Sequence, residues 1–275
     1  MTTKLLALAA LASVAATAGT AHAQTADWSG LYFGGAVGYS EQSGSSGERL
    51  VFDTNRDGTY GDTVRTGAGA DAFSPGFCSG AAVGNAPGAG CRTTDGNLNL
   101  ALRAGYDWQF GNWVVGGLAE ISKSRIGDDV SAFSTTPASY TFTRDLDYTI
   151  AARARAGYAF DRFLAYGTAG AAWGEIDHSF TTTNTANSFT PSGDSDNTGY
   201  QVGGGFEWLW TDNLSLGVEY LRTSLDDDDY QVDIGPGTAP LTNPFRIVNP
   251  AGTFTQRTED KFEYDTVNLT ATLRY

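Results

Sequence analysis

The sequence predicts an all-β protein, and more narrowly an eight-stranded antiparallel up-and-down transmembrane β-barrel. Three observations carry this. Apolar and polar residues alternate with a period of two in windows of ten residues or more. Short and long connections between those windows alternate strictly. Aromatic residues gather beside the short connections. A soluble sandwich has no reason to alternate its connections, whereas an outer-membrane barrel puts short turns at one end and long loops at the other.

The alternation is clearest at the C-terminus, where Val267, Leu269, Ala271, Leu273 and Tyr275 are interleaved with Thr266, Asn268, Thr270, Thr272 and Arg274. A second window runs from Leu98 to Phe110, a third from Tyr148 to Phe160 and a fourth from Tyr200 to Trp210. Extending the same pattern places strands at about 29–41, 97–110, 113–125, 146–160, 163–180, 198–211, 214–226 and 261–275. Three connections are two-residue turn formers: Gly111-Asn112, Asp161-Arg162 and Asp212-Asn213. The other four are long, near 42–96, 126–145, 181–197 and 227–260, and rich in Ser, Thr, Gly, Pro, Asn and Asp. A further hairpin in the first of them, near 49–52 and 63–66, would raise the strand number to ten. Strand five is ambiguous, because Phe163 and Trp173 share one parity while Leu164 and Tyr166 share the other.

Trp108, Phe110, Trp113, Tyr158, Phe160, Phe163, Trp208, Trp210 and Tyr275 all lie beside the short turns or at the last residue, as expected of a ring at the headgroup layer. Tyr39, Trp173, Tyr200 and Tyr220 form a looser ring towards the other end.

Composition and processing agree with export. Lys4, the apolar run from Leu5 to Ala18 and the small-residue site Ala21-His22-Ala23 read as a signal peptide over residues 1–23, leaving 24–275 as the barrel. Cys78 and Cys91, an even pair in an oxidising compartment, predict a disulfide. A net charge of −14 disfavours nucleic acid as a partner.

If the apolar set faces lipid, the opposite set fills the bore. Arg103, Arg153, Arg155 and Arg274 then point inward with Asp107, Glu120, Glu207 and Glu219, four positive charges against four negative. An eight-stranded barrel is just wide enough for side chains to fill, so the expectation is a paired charge network that blocks the bore. A narrow charged pore is the alternative.

Asp53-Thr54-Asn55-Arg56-Asp57-Gly58 matches the first half of a calcium loop, with oxygens at positions 1, 3 and 5 and a Gly for the turn. Val64 stands where the bidentate Glu belongs, and Asp62 would substitute from position 10. The expectation is a structural calcium through Asp53, Asn55, Asp57 and Asp62, or else a solvated turn, with no other cofactor. Asp226 to Asp229 read as a solvated acidic rim or as a divalent-cation bridge to lipopolysaccharide phosphates. His178-Ser179, near Glu175 and Asp177, reads as a solvent-facing rim histidine; a lipid-modifying hydrolase is the enzymatic alternative.

Trp28-Ser29-Gly30-Leu31-Tyr32-Phe33-Gly34-Gly35 behind a signal peptide resembles the opening of the small immunogenic, porin-like outer-membrane proteins of alphaproteobacteria. Arg153-Ala154-Arg155-Ala156-Gly157-Tyr158, Val202 to Glu207 and Leu216-Gly217-Val218-Glu219-Tyr220 resemble that family's later strands. The likeness covers the chain after the leader and specifies architecture better than activity. It implies a structural outer-membrane barrel of a Gram-negative bacterium, serving envelope integrity or surface interaction without catalysis, with a small diffusion porin as the alternative. It further implies that Tyr275 acts as the terminal aromatic read by the barrel-insertion machinery. The partners expected are outer-membrane lipid and lipopolysaccharide, with the chain a monomer.

Overall fold

A computed structural model describes residues 26–43, 47–93, 96–193, 196–227 and 230–275. The leader expected over 1–23 lies outside them, as do Asp228 and Asp229. In chain order the strands are β1 (Gly30–Ser43), β2 (Leu50–Asp53), β3 (Gly76–Ser79), β4 (Ala81–Ala82), β5 (Cys91–Arg92), β6 (Asn97–Phe110), β7 (Trp113–Ser124) and β8 (Ile126–Ser134). There follow β9 (Ala138–Phe160), β10 (Phe163–Thr182), β11 (Ser188–Ser192), β12 (Asp196–Leu209), β13 (Leu214–Asp226), β14 (Gln231–Gly235), β15 (Thr253–Arg257) and β16 (Lys261–Arg274).

Eight of these close a barrel. β1 pairs with β6, β6 with β7, β7 with β9, β9 with β10, β10 with β12, β12 with β13, β13 with β16, and β16 returns to β1, every pair antiparallel. Closure leaves no wall edge with unpaired backbone in hydrocarbon. The seam is tightened at the last residue, whose backbone N–H donates to Leu31 O at 2.9 Å. Two short turns use the left-handed region, with Gly111 at φ 63° and Asp161 at φ 50°. Glycine also serves the bore: a side chain at Gly105 would meet the Tyr32 ring, and one at Gly116 would meet the Asp107 carboxylate.

The wall has the expected strand number and faces. Leu100, Leu102, Phe206 and Leu269 face outward, and so does the aromatic ring beside the short turns. Leu164 and Tyr166 settle strand five by pointing inward.

The long connections differ from what the sequence predicts. They are not mainly irregular loops. β9 is 23 residues long, β10 is 20, and both continue beyond the outer aromatic ring as a paired hairpin. β7 breaks at Arg125 and resumes as β8, which stays paired with the upper half of β9 and takes β3 on its other edge. A second sheet, β11-β14-β15-β2, is assembled from three separate connections. Leu50, Phe52, Phe73, Val130, Phe142, Val232, Ile234 and Phe245 are buried between the two sheets. The outer face therefore carries a folded β-sandwich with its own apolar core. The ten-strand alternative is corrected accordingly: β2 pairs with β15 rather than with 63–66 and adds nothing to the wall. The Cys78–Cys91 disulfide, Cα–Cα 6.5 Å, ties β3 to β5 in this outer unit.

Candidate functional site: a layered bore

The bore is filled in layers. At the short-turn end Trp28 is fully buried, packed with Val114, Leu164 and Leu209. Its backbone N–H donates to Gln109 Oε1 at 2.7 Å, and Arg274 lies over its ring at 4.7 Å. Above it comes a ring of four charges. Arg155 bonds Asp107 and Glu207, with its Nη1 2.6 Å from Glu207 Oε1. Arg274 closes the ring to the same two carboxylates at 2.8 and 3.1 Å. The rings of Tyr32 and Tyr166 flank the Arg155 guanidinium at 5.0 and 4.9 Å.

A second ring sits above the first. Arg103 lies 2.5 Å from Glu120 and 2.7 Å from Glu219, and Arg153 lies 3.0 and 3.5 Å from the same carboxylates. Tyr166 donates to Glu219 at 2.8 Å. All eight charged side chains assigned to the lumen thus lie in two neutral quartets, each side chain 4% exposed or less. Neutral hydrogen bonds follow: Asn99 to Asn268, Gln201 to Thr223, and Thr149 with Tyr264. An apolar layer of Ile126, Leu146, Ile176, Leu225 and Phe262 then closes the mouth.

A third charge cluster, missed by the sequence reading, lies outside the membrane wall under the outer sandwich. Arg144 bonds Asp128 at 2.9 and 2.8 Å and Asp227 at 2.9 Å. Arg257 bonds both oxygens of Glu48 and reaches Asp128 at 2.8 Å. His178 Nε2 is 2.7 Å from Asp227 Oδ1, and its ring stacks on Tyr230 at 4.6 Å. Burial alone would raise the carboxyls of Asp128 and Asp227, but their charge-assisted bonds hold both below the usual range: Arg144 and Arg257 on Asp128, His178 and Arg144 on Asp227. Burial pushes Glu48 the other way.

Two expectations are corrected by this cluster. His178 is not solvent-facing; its side chain is 5% exposed and engaged by Asp227. Asp227 is not part of a solvated rim, because it also accepts from Arg144 and Asn197. Ser179 follows His178 on a strand, where adjacent side chains take opposite faces, and it is exposed. The sequential pair therefore does not assemble a nucleophile and its base.

In the first connection, Asp53, Asn55 and Asp57 share one turn. Asp53 Oδ1 accepts from the Arg56 N–H at 2.7 Å and Oδ2 from the Gly58 N–H at 2.9 Å. Asn55 Oδ1 accepts from Asp57 N–H, and Asp62 accepts from Thr54 N–H and its hydroxyl. Arg56 pairs with Asp233. These carboxylates bind the turn's own donors, and no group of three acidic, His or Cys side chains converges on a metal position among the described residues.

The family model described as "Outer membrane protein beta-barrel domain" matches residues 5–237. The chain belongs to that family. It is an outer-membrane β-barrel protein of the Gram-negative envelope. The 22 kDa outer membrane protein of Rhizobium leguminosarum bv. viciae is 34% identical over 131 residues, 48% of this chain and 54% of that one. The 31 kDa outer-membrane immunogenic protein of Brucella melitensis is 31% identical over 134 residues, 48% and 55% of the two chains. The chain thus matches about half the length of these curated relatives. The crystal structure of the outer membrane protein OprG from Pseudomonas aeruginosa shares the fold at a TM-score of 0.50 and 11% identity, covering 90% of this chain and 97% of that one.

Proposed function

We propose that this family member is a non-conducting structural barrel that holds a folded acidic module on the outer face of the cell, for envelope integrity or surface contact. The observation that carries the reading is the filled bore: an apolar plug, two neutral charge quartets, a hydrogen-bonded layer and an apolar lid succeed one another along the axis. Water-filled conduction needs a continuous polar path, and interdigitated buried pairs remove it. The proposed role includes no catalysis, because Ser179 lies on the strand face opposite His178 and so offers it no nucleophile.

The partners follow from the surfaces. The apolar wall and its aromatic rings meet membrane lipid, and the acidic outer face meets lipopolysaccharide by way of divalent cations. The chain works as a monomer. Planar-bilayer recording on the purified full chain tests the reading. No steady open state is expected, and a reproducible single-channel conductance from the wild type would overturn it.

A further inference from the structure

Taking the outer module as the working face, its chemistry can be read one step further. The four long connections hold 17 acidic and 7 basic residues. Cavities on this face share that charge. One of about 370 Å³ is lined by Asp227, Glu259 and Asp260 against Arg257 and His178. One of about 320 Å³ includes Arg49, Asp62 and Asp71, and one of about 210 Å³ includes Asp145, Asp147 and Asp177 with Arg125. A further cavity, of about 260 Å³, has no charged residue in its lining.

This uncharged pit is built from 72–73, 134–140, 183–186 and 243–245, four stretches that meet only in the folded module. Its base is a cup of three rings. Phe73 and Tyr140 are 5.4 Å apart at 61°, Tyr140 and Phe245 5.7 Å at 75°, and Phe73 and Phe245 5.9 Å at 54°. Its rim is hydroxyl-bearing, with Thr135, Thr136, Thr183 and Thr185 exposed. Behind the wall a carboxamide relay fixes the parts. Asn184 donates to Tyr140 Oη at 3.0 Å and to Asn187 Oδ1 at 3.1 Å, and Asn243 donates to the same Asn187 oxygen at 3.1 Å. Burial raises the Tyr140 phenol above its ordinary value, so the pit carries no charge at neutral pH.

We propose that this pit is a binding site for one ring of an uncharged carbohydrate. The size fits: the cavity falls just below the roughly 300–1,000 Å³ of drug-sized sites, which leaves room for a single ring. The chemistry fits as well. A pyranose has an apolar C–H face that packs on tilted aromatic rings and an equatorial fringe of hydroxyls that matches a rim of Thr and Asn groups. Charged sugars are excluded on two grounds. The surrounding field is negative and repels uronates and sialates, and the lining gives an ammonium no carboxylate to pair with.

Saturation-transfer NMR on the full chain in lipid nanodiscs tests this, with the methyl glycosides of glucose, galactose, mannose and N-acetylglucosamine and with glucuronate as the charged probe. At ~10 mM ligand, where a millimolar Kd is visible, at least one neutral glycoside should receive transfer, strongest on its axial C–H protons, and glucuronate none. Thr136→Trp and Thr185→Trp each fill the mouth from an exposed position. Either should cut the transfer at least about fivefold while the heat-modifiable gel shift of the barrel is kept. Three results would overturn the proposal: no transfer from any neutral glycoside, transfer undiminished in both variants, or equal transfer to glucuronate. None of these bears on conduction, so the non-conducting reading stands or falls separately.

Discussion

Glu219→Gln is the sharpest probe of the filled bore. The side chain is fully buried and accepts from Arg103 at 2.7 Å and Tyr166 at 2.8 Å, with Arg153 3.5 Å away. Gln keeps the volume and an acceptor oxygen but removes the charge. The upper quartet is then left with two guanidinium groups against Glu120 alone. Removing one partner of a buried pair costs about 3–5 kcal/mol, a factor of ~10² to 10⁴ in the folding equilibrium. Urea unfolding from lipid vesicles, followed by Trp fluorescence and by gel shift, should show that loss. Arg153→Met in the same chain restores one cation to one anion, and the double variant should recover at least half of it. A loss below about 1 kcal/mol for Glu219→Gln, the size expected of a solvated pair, would refute the reasoning, because it would mean that water already screens the quartet.

Acid should loosen the outer cluster. The depressed carboxyls of Asp128 and Asp227 contribute stability above their unfolded pKa of about 3.9, and that contribution is lost as pH falls through their lower folded values. Glu48, whose carboxyl is raised by burial, has the opposite sign, its contribution declining as pH rises. Hydrogen exchange at 126–146 and 253–257 should therefore speed up below about pH 4, and unchanged protection there would count against the cluster. Cys78→Ser with Cys91→Ser should cost the outer module about 3 kcal/mol by the loop-entropy relation; the expected signature is faster proteolysis near 76–92 with the barrel gel shift intact. In the 53–62 turn, EDTA should leave outer-module melting unchanged while Asp53→Ala lowers it, because the Asp53 oxygens are bonded to backbone N–H groups; a melting point lowered by EDTA would show a cation there instead. Gly116→Val should prevent the Asp107 ring from forming and abolish the gel shift.

The wall was legible because lipid on one side and a narrow bore on the other force a strict period of two. Arg103, Arg153, Arg155 and Arg274 could be named as inward residues from parity alone, and so could their four acids. Parity also explains where the reading stopped. Tyr140, Phe142, Arg144 and Leu146 alternate as regularly as any barrel strand, but the register shifts opposite Glu175 and Ile176. Inward residues are even-numbered above that irregularity and odd-numbered below it. A pattern followed upward from Arg155 and Arg153 runs out of phase there, so the upper half of β9 reads as loop. His178 and Asp227 keep the inward parity of Leu164 to Ile176 and of Ser215 to Leu225, so they were misplaced for a different reason: nothing local shows that the outer sandwich covers the ends of those strands.

The eight wall segments, their two faces and the balanced lumen charge follow from the sequence alone, because each is a local periodic property imposed by one solvent boundary; the pairing of β2 with β15 was needed to exclude two more wall strands. The outer sandwich, the cluster of Glu48, Asp128, Arg144, Asp227 and Arg257, and the uncharged pit were decided only by tertiary structure. Their parts come from connections up to 209 residues apart, as in Glu48 and Arg257. No short window carries the signal, because the apolar faces of β2, β14 and β15 are four or five residues long and gain their stability only when buried against β8 and β9.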